Sequence, residues 1–170
     1  GTSGAMQEGV APGDLVVATA AIRDEGTSRQ YAPLEFPAVA DLTVTQALIR
    51  AAEDAGIAHH VGVVHSKDSF YGEVEPERMP VAEDLHRRWE AWRRMGALAS
   101  EMEAATLFIV AQALRCRAGC LLLAAANVEY ERPNGKFIVT EDVDQLARVA
   151  VAGLHQLIKQ DRVDSPRLAT

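Results

Sequence analysis

The chain has 170 residues, 48% of them apolar and 24% charged, which is enough for one domain with a real core. Its net charge of −7 argues against a general nucleic-acid surface, which needs a basic patch. No run approaches the length of a membrane-spanning helix and no signal peptide opens the chain. We therefore expect no nucleic-acid partner, no membrane partner and a cytoplasmic location.

Cys116 and Cys120 lie close together near an expected strand and read as reduced core thiols. His59, His60, His65, His86 and His155 are scattered, none at metal spacing with a Cys or acid, so no metal is expected.

Residues 1–4 read as a turn of small residues. Its glycines let a ligand approach the backbone, and Thr2 and Ser3 offer hydroxyls and amides, although an ordinary turn has the same pattern. Pro12 and Gly13 mark a turn, residues 14–21 a strand around Leu15, Val16 and Val17, and residues 23–30 a polar loop. Pro33 and Pro37 keep residues 31–41 out of a central strand. The apolar side chains of this segment suit packing against another subunit or against its own domain. Residues 43–55 predict a helix, with Thr43 and Gln46 as a capping box, Gly56 at C′, and Val44, Ala47, Leu48, Ala51 and Ala55 as its stripe. Residues 60–65 read as a strand around Val61, Val63 and Val64.

Residues 66–78 follow the end of that strand, where ligands bind in a largely parallel sheet. Phe70 there either stacks on a planar base or caps the core. Lys67 is either a donor to a base oxygen or a solvated surface lysine. Residues 81–95 predict a helix opened by Pro80 and ended by Gly96, with Leu85, Trp89 and Trp92 toward the core. Residues 97–100 form a short strand feeding Glu101, Met102 and Glu103. Two carboxylates beside a Met make poor core material. The plain alternative is a helix start, where acids suit the dipole.

Residues 104–114 are apolar nearly all round and predict a buried helix; residues 118–126 predict a strand covered on both faces. Asn127 ends that strand. Residues 129–137, with Pro133, Asn134 and Gly135, read as a loop or flap. Residues 140–158 predict the last helix, with Val143, Leu146, Ala150, Val151, Leu154, Leu157 and Ile158 as its buried stripe, followed by a frayed polar tail over 159–170. The alternation of strands and helices argues for an α/β sandwich.

Four stretches resemble the uridine branch of the nucleoside phosphorylase family: GTSGAMQ at residues 1–7, YAPLEFPAVAD at 31–41, DSFY at 68–71 and SEMEAAT at 100–106. The resemblance runs from Gly1 to about Ile158. It implies a three-layer α/β/α sandwich with a mixed central sheet, one domain over residues 1–158 and a tail over 159–170. It implies phosphate-dependent cleavage of uridine to uracil and ribose 1-phosphate. Inorganic phosphate is then a co-substrate, no cofactor is needed, and the assembly is a homo-oligomer between dimer and hexamer.

Residue by residue, the resemblance implies that Glu103 holds the ribose hydroxyls and Met102 walls the sugar. Thr2 contacts phosphate and ribose, Ser3 shares its turn, and the Gly4 backbone lies beside the base. Phe70 lies against sugar and base, and Lys67 or Arg78 offers a donor to the uracil oxygens. Glu101 belongs to the same substrate shell and reads as structural, paired with an Arg. Asn127 stands where the purine branch has an Asp that protonates the ring. An Asn cannot act as that acid, which favours pyrimidines.

Several features depart from the family pattern. Its Gln-x-Arg pair, which reads the uracil edge, is replaced by GEVEPERMP at residues 72–80, and Val128 stands where some relatives place an Arg. In the family, GTSG ends a mid-sheet strand preceded by a third of the protein that holds the phosphate loop, its arginines and a His and Arg lent across subunits. We expect that Gly1 is not the biological N-terminus, and that the chain alone builds neither the phosphate site nor a stable fold. The alternatives are a broader purine nucleoside phosphorylase or nucleosidase of the same fold, or an inactive truncated subunit competent only for packing.

Overall fold

A computed structural model describes residues 1–127, 129, 139–140 and 142–164. The apolar runs form strands β1 (Thr2–Ala5), β2 (Leu15–Asp24), β3 (Ala38–Val39), β4 (His59–Lys67), β5 (Ala99–Glu101) and β6 (Cys120–Ala126). The helices are α1 (Leu42–Asp54), the single turn α2 (Tyr71–Val74), α3 (Ala82–Arg94), α4 (Ala104–Ala113) and α5 (Asp144–Asp164).

The strands form one mixed sheet in the order β3-β2-β4-β5-β1-β6. β2 runs parallel to β4, which runs parallel to β5; β1 is antiparallel to β5 and parallel to β6. An antiparallel pairing of Leu15–Ala18 with residues 120–123 returns β6 to the first half of β2, while β3 takes the second half. The strand order therefore closes on itself, which leaves few unpaired ladder groups at its edges.

Alternation along the strands sorts the apolar side chains into two cores. Val16, Ala18, Val64, Ala99, Leu122 and Ala124 face α4, whose Ala104, Ala105, Phe108 and Ile109 cover them. Leu15, Val17, Leu121 and Leu123 face α1 and α5, through Leu48, Ala51, Ala52 and Val149. This is the nucleoside phosphorylase-like α/β architecture, with a helical layer on each face of a mixed sheet. Gly119 lets α1 approach β6 closely: a Cβ there would stand 2.5 Å from Val44 Cγ1.

Several local expectations are corrected. Residues 1–4 are not a turn: Thr2–Ala5 is a strand held between β5 and β6. Four small residues carry no period of their own, and the neighbouring ladders decide their conformation. β2 continues to Asp24, taking Arg23 out of the expected loop. The N-cap of α1 is Asp41, whose Oδ1 accepts from Val44 N at 3.0 Å, so the capping box at Thr43 is not used; Gly56 takes positive φ at the C-terminal end as expected.

α4 buries one face only: Leu107 and Leu114 are exposed. α3 has no fully buried residue, and its tryptophans are half-buried. α5 starts later than expected and continues through Asp164. It buries Val149 and Leu157, while Val143, Val151, Leu154 and Ile158 of the expected stripe are exposed. Val128 and most of the expected flap, including Pro133, Asn134 and Gly135, lie outside the described residues.

Residues 31–41 form an ordered surface segment ending in the edge strand β3. A buried cation organises it. The Arg23 guanidinium donates to the Ser28 hydroxyl at 2.9 Å and to the carbonyls of Ser28, Ala32, Pro33 and Phe36 at 2.5–3.1 Å. Tyr31, Leu34 and Phe36 project outward from it.

Candidate functional site

The site is built where β1, β4 and β5 meet. In the ladders Gly4 stands opposite Ser100, and Ser100 opposite His65; Glu101 stands opposite Ser66. Because β1 and β5 are antiparallel, the chain leaving Ser100 heads toward the Thr2 end of β1. The Glu101-Met102-Glu103 turn thus emerges beside Thr2, Ser3 and Gly4.

The two acids of that turn have different environments. Glu101 is 4% exposed. Its Oε2 accepts from the amides of Glu103 at 2.8 Å and Ala104 at 2.7 Å, and its Oε1 accepts from the Ser66 hydroxyl. Ser66 Oγ in turn accepts from Ala105 N at 2.9 Å. Glu101 therefore satisfies the orphan amides at the start of α4, and its partner is a helix end rather than the expected Arg. Glu103 is exposed, and among the described residues its carboxylate has no partner. Met102 lies partly open beside it.

Lys67 is not a solvated lysine. It is 9% exposed, donates to Ser100 Oγ at 2.8 Å, and forms an ion pair with Oε2 of Glu73 on α2. The other Glu73 oxygen lies against β1: a Cβ on Gly4 would stand 2.7 Å from Glu73 Oε1. Only glycine at that position lets the carboxylate approach so closely.

A polar row continues from Ser100 away from β1. His65 Nδ1 is 3.1 Å from Ser100 Oγ, and its Nε2 is 3.2 Å from Asp24 Oδ2. Arg88 donates to Asp24 Oδ1 at 2.7 Å. His65 thus bridges the Ser100 hydroxyl and the Asp24 carboxylate through its two ring nitrogens. Burial works to raise the Asp24 pKa, but the hydrogen bond and charge of His65, with Arg88, outweigh it and hold the carboxyl below its ordinary value.

The remaining candidates divide between the site and other duties. Thr2 is exposed on β1. Ser3 is buried, its hydroxyl donated to Leu123 O at 3.1 Å. Phe70 is 55% exposed just past β4, its ring edge-on to Tyr71 at 5.8 Å, so it does not cap the core. Arg78 is not brought to this group: it is exposed and paired with Glu75 on the surface. Asn127 is fully buried, donating from Nδ2 to Gln7 O at 2.8 Å and Val10 O at 2.6 Å, while Oδ1 accepts from Glu129 N. It ties the end of β6 to the turn after β1. Gln7 in turn donates to Arg93 O and Ala97 O, holding the end of α3.

Sequence reasoning missed Glu73, Ser66, Ser100, His65 and Asp24. A signal was present in His65-Ser66-Lys67, which is too polar for a strand end buried without partners. Asp24, Ser100 and Glu101 come from β2 and β5, distant in sequence, and Glu73 from α2, just past β4.

The family model for the Phosphorylase superfamily matches residues 1–160. The chain is 48% identical over 167 residues to a uridine phosphorylase of Treponema pallidum, covering 98% of this chain and 64% of that protein. It is 46% identical to a uridine phosphorylase of Thermococcus kodakarensis, covering 75% of this chain and 47% of that protein. It is 40% identical to a guanosine phosphorylase of Halorubrum lacusprofundi, covering 75% of this chain and 48% of that protein. The chain thus spans roughly half to two-thirds of the length of these relatives. With a match over nearly all of its residues, and with the GTSG and SEMEAAT runs meeting at one end of the sheet, the chain belongs to the phosphorylase superfamily.

Proposed function

We propose that this chain forms the nucleoside-binding part of a uridine phosphorylase. Phosphate attacks the anomeric carbon of uridine, the bond from that carbon to the base nitrogen breaks, and its electron pair leaves with uracil. The product sugar is ribose 1-phosphate. The observation that carries the reading is the open Glu103 carboxylate beside Met102 and Thr2, while the neighbouring Glu101 is fully engaged by the start of α4.

Glu103 accepts hydrogen bonds from the ribose hydroxyls and favours the positive charge that develops on the ring. Met102 walls the sugar, Thr2 meets phosphate and ribose, and Phe70 covers the sugar and base. Ser3, Glu101 and Asn127 hold the frame of the site. Asn127 offers no acid for a purine ring nitrogen, which supports pyrimidine over purine.

The uridine phosphorylases among the relatives favour this reading; the guanosine phosphorylase keeps a purine substrate as the second. The reaction takes place in a homo-oligomer in the cytoplasm, with exposed Tyr31, Leu34 and Phe36 at a subunit contact. Among the described residues no helix is long and apolar enough to cross a membrane.

The test is release of uracil from uridine by the protein as its gene encodes it, with and without phosphate. Phosphate-dependent release is expected, with inosine slower than uridine. Release without phosphate would make the protein a nucleosidase, and faster turnover of inosine would overturn the pyrimidine reading.

A further inference from the structure

The first turn of α4 begins at Glu103 and is held from three sides. Two of the ties serve any buried helix start: Glu101 takes the amides of Glu103 and Ala104, and Ser66 Oγ takes that of Ala105. The third does not. Thr106 Oγ1 donates to Glu25 Oε2 at 3.0 Å, a bond that satisfies no backbone group of the helix. A threonine hydroxyl inside a helix can bond back to a carbonyl of the preceding turn. Here it is turned across to the chain just past β2.

Glu25 is 2% exposed and is itself fixed. The same Oε2 accepts from Ser28 N at 2.8 Å, and Ser28 Oγ accepts from the buried Arg23 at 2.9 Å. Burial works to raise the Glu25 pKa, but the bonds from Ser28 and Thr106 outweigh it, so the group stays a carboxylate. A charged acceptor makes a bond about twice as strong as a neutral one, which suits it to fix a helix. Thr106 stands three residues after Glu103, on the neighbouring position of the helix surface, and Leu107 N donates to Glu103 O at 2.9 Å. The Glu103 backbone therefore belongs to the turn that Glu25 holds.

We propose that Glu25 is a positioning residue for the reaction, acting through Thr106 to hold the first turn of α4, and hence the Glu103 carboxylate, against the ribose hydroxyls. This rests on the reading of Glu103 as the ribose acceptor. Neither Glu25 nor Thr106 touches the substrate in this role. Packing of Phe108 and Ile109 in the core places the helix as a body, but a catalytic acceptor has to be held to within about 0.5 Å. A displacement of about 1 Å costs on the order of a hundredfold in rate.

The test is a set of double-mutant cycles on uridine cleavage by the protein as its gene encodes it. Thr106→Val keeps the shape of the side chain and removes the hydroxyl; Glu25→Gln removes the charge. Each should lower kcat/KM by about tenfold, and the two together by little more than either alone. Thr106→Ser, which keeps the hydroxyl, should restore most of the loss. In a Glu103→Ala background, Thr106→Val should change kcat/KM by less than about twofold, because the group it positions is gone. A merely structural Thr106 would cost the same factor in both backgrounds, and that outcome overturns the assignment, as does Thr106→Val at the wild-type rate. Should Glu25→Gln not fold, the two Thr106→Val comparisons decide.

If Glu103→Ala leaves uridine cleavage unchanged, the ribose reading falls and the assignment falls with it. If no nucleoside is cleaved, calorimetric binding of uridine is read in the same cycles. A loss of affinity on Thr106→Val that requires Glu103 then upholds the positioning role while the phosphorylase reading falls. A loss that is absent, or indifferent to Glu103, overturns the positioning role.

Discussion

The Glu101 carboxylate accepts the backbone amide of Glu103 at 2.8 Å, so one acid of the turn holds the other in place. Glu101 faces inward to the start of α4, and the Glu103 side chain is exposed. Their substitution should separate stability from activity. Glu103→Ala should leave the melting temperature within about 2 °C of wild type, since an exposed side chain is lost. It should lower kcat/KM for uridine by about 100- to 1,000-fold, the effect of one lost transition-state interaction. Glu101→Ala leaves two amides and the Ser66 hydroxyl without their acceptor, which should cost about 2–4 kcal/mol of stability. Kinetics and thermal unfolding of both variants check this, and an unchanged rate for Glu103→Ala sinks the ribose role.

Arg23 should be irreplaceable by lysine. Its planar fork reaches Ser28 and the carbonyls of Ala32, Pro33 and Phe36 together, which a single ammonium cannot match. Arg23→Lys should destabilise by about 2–3 kcal/mol and make the segment around Tyr31 to Phe36 the first site of limited proteolysis. Equal proteolytic resistance in the two proteins would count against that role.

Asp24 makes stability depend on acid pH. Its folded pKa is lowered, because His65 and Arg88 outweigh the burial that opposes ionisation. A depressed carboxyl contributes stability that is complete above its unfolded value of about 3.9 and is lost as pH falls through the folded one. The stability gap between wild type and Asp24→Asn should therefore be widest above about pH 5 and shrink below about pH 4. Denaturant unfolding across that range measures it, and a gap that grows on acidification would reverse the sign.

The two cysteines should react very differently. Burial first, and then the Glu101 charge, push the Cys120 thiol up to about 12, whereas Cys116 is exposed. At pH 8 the thiolate fraction of Cys120 is then on the order of one in ten thousand. A thiol reagent should modify Cys116 in the native protein and reach Cys120 only on unfolding. Comparable rates at both would contradict the burial of Cys120. The same shift carries a linkage sign: as pH rises past the ordinary thiol range, the unfolded thiol ionises first, so stability falls.

What the chain announced by itself was its periodic and continuous apolar content. The run Leu15-Val16-Val17, the run Leu121-Leu122-Leu123 and the stripe through Ala47, Leu48 and Ala51 each predict an element, because burial of a face demands that spacing locally. The acids of the SEMEAAT run stood out as poor core material, but the spacing alone left a helix start as the plain alternative, and only the fold shows Glu101 engaged by the start of α4 with Glu103 exposed. The tertiary structure alone decided the rest. Thr2–Ala5 becomes a strand because β5 and β6 supply its ladders from about a hundred residues away. Lys67 changes from surface donor to buried anchor because Ser100 and Glu73 converge on it from β5 and α2. Asn127 turns from a strand-end polar residue into a tie because the carbonyls of Gln7 and Val10 arrive beneath it. Hydrophobic periodicity is written residue by residue along the chain, whereas a polar group's role depends on which partner the fold brings within 3 Å.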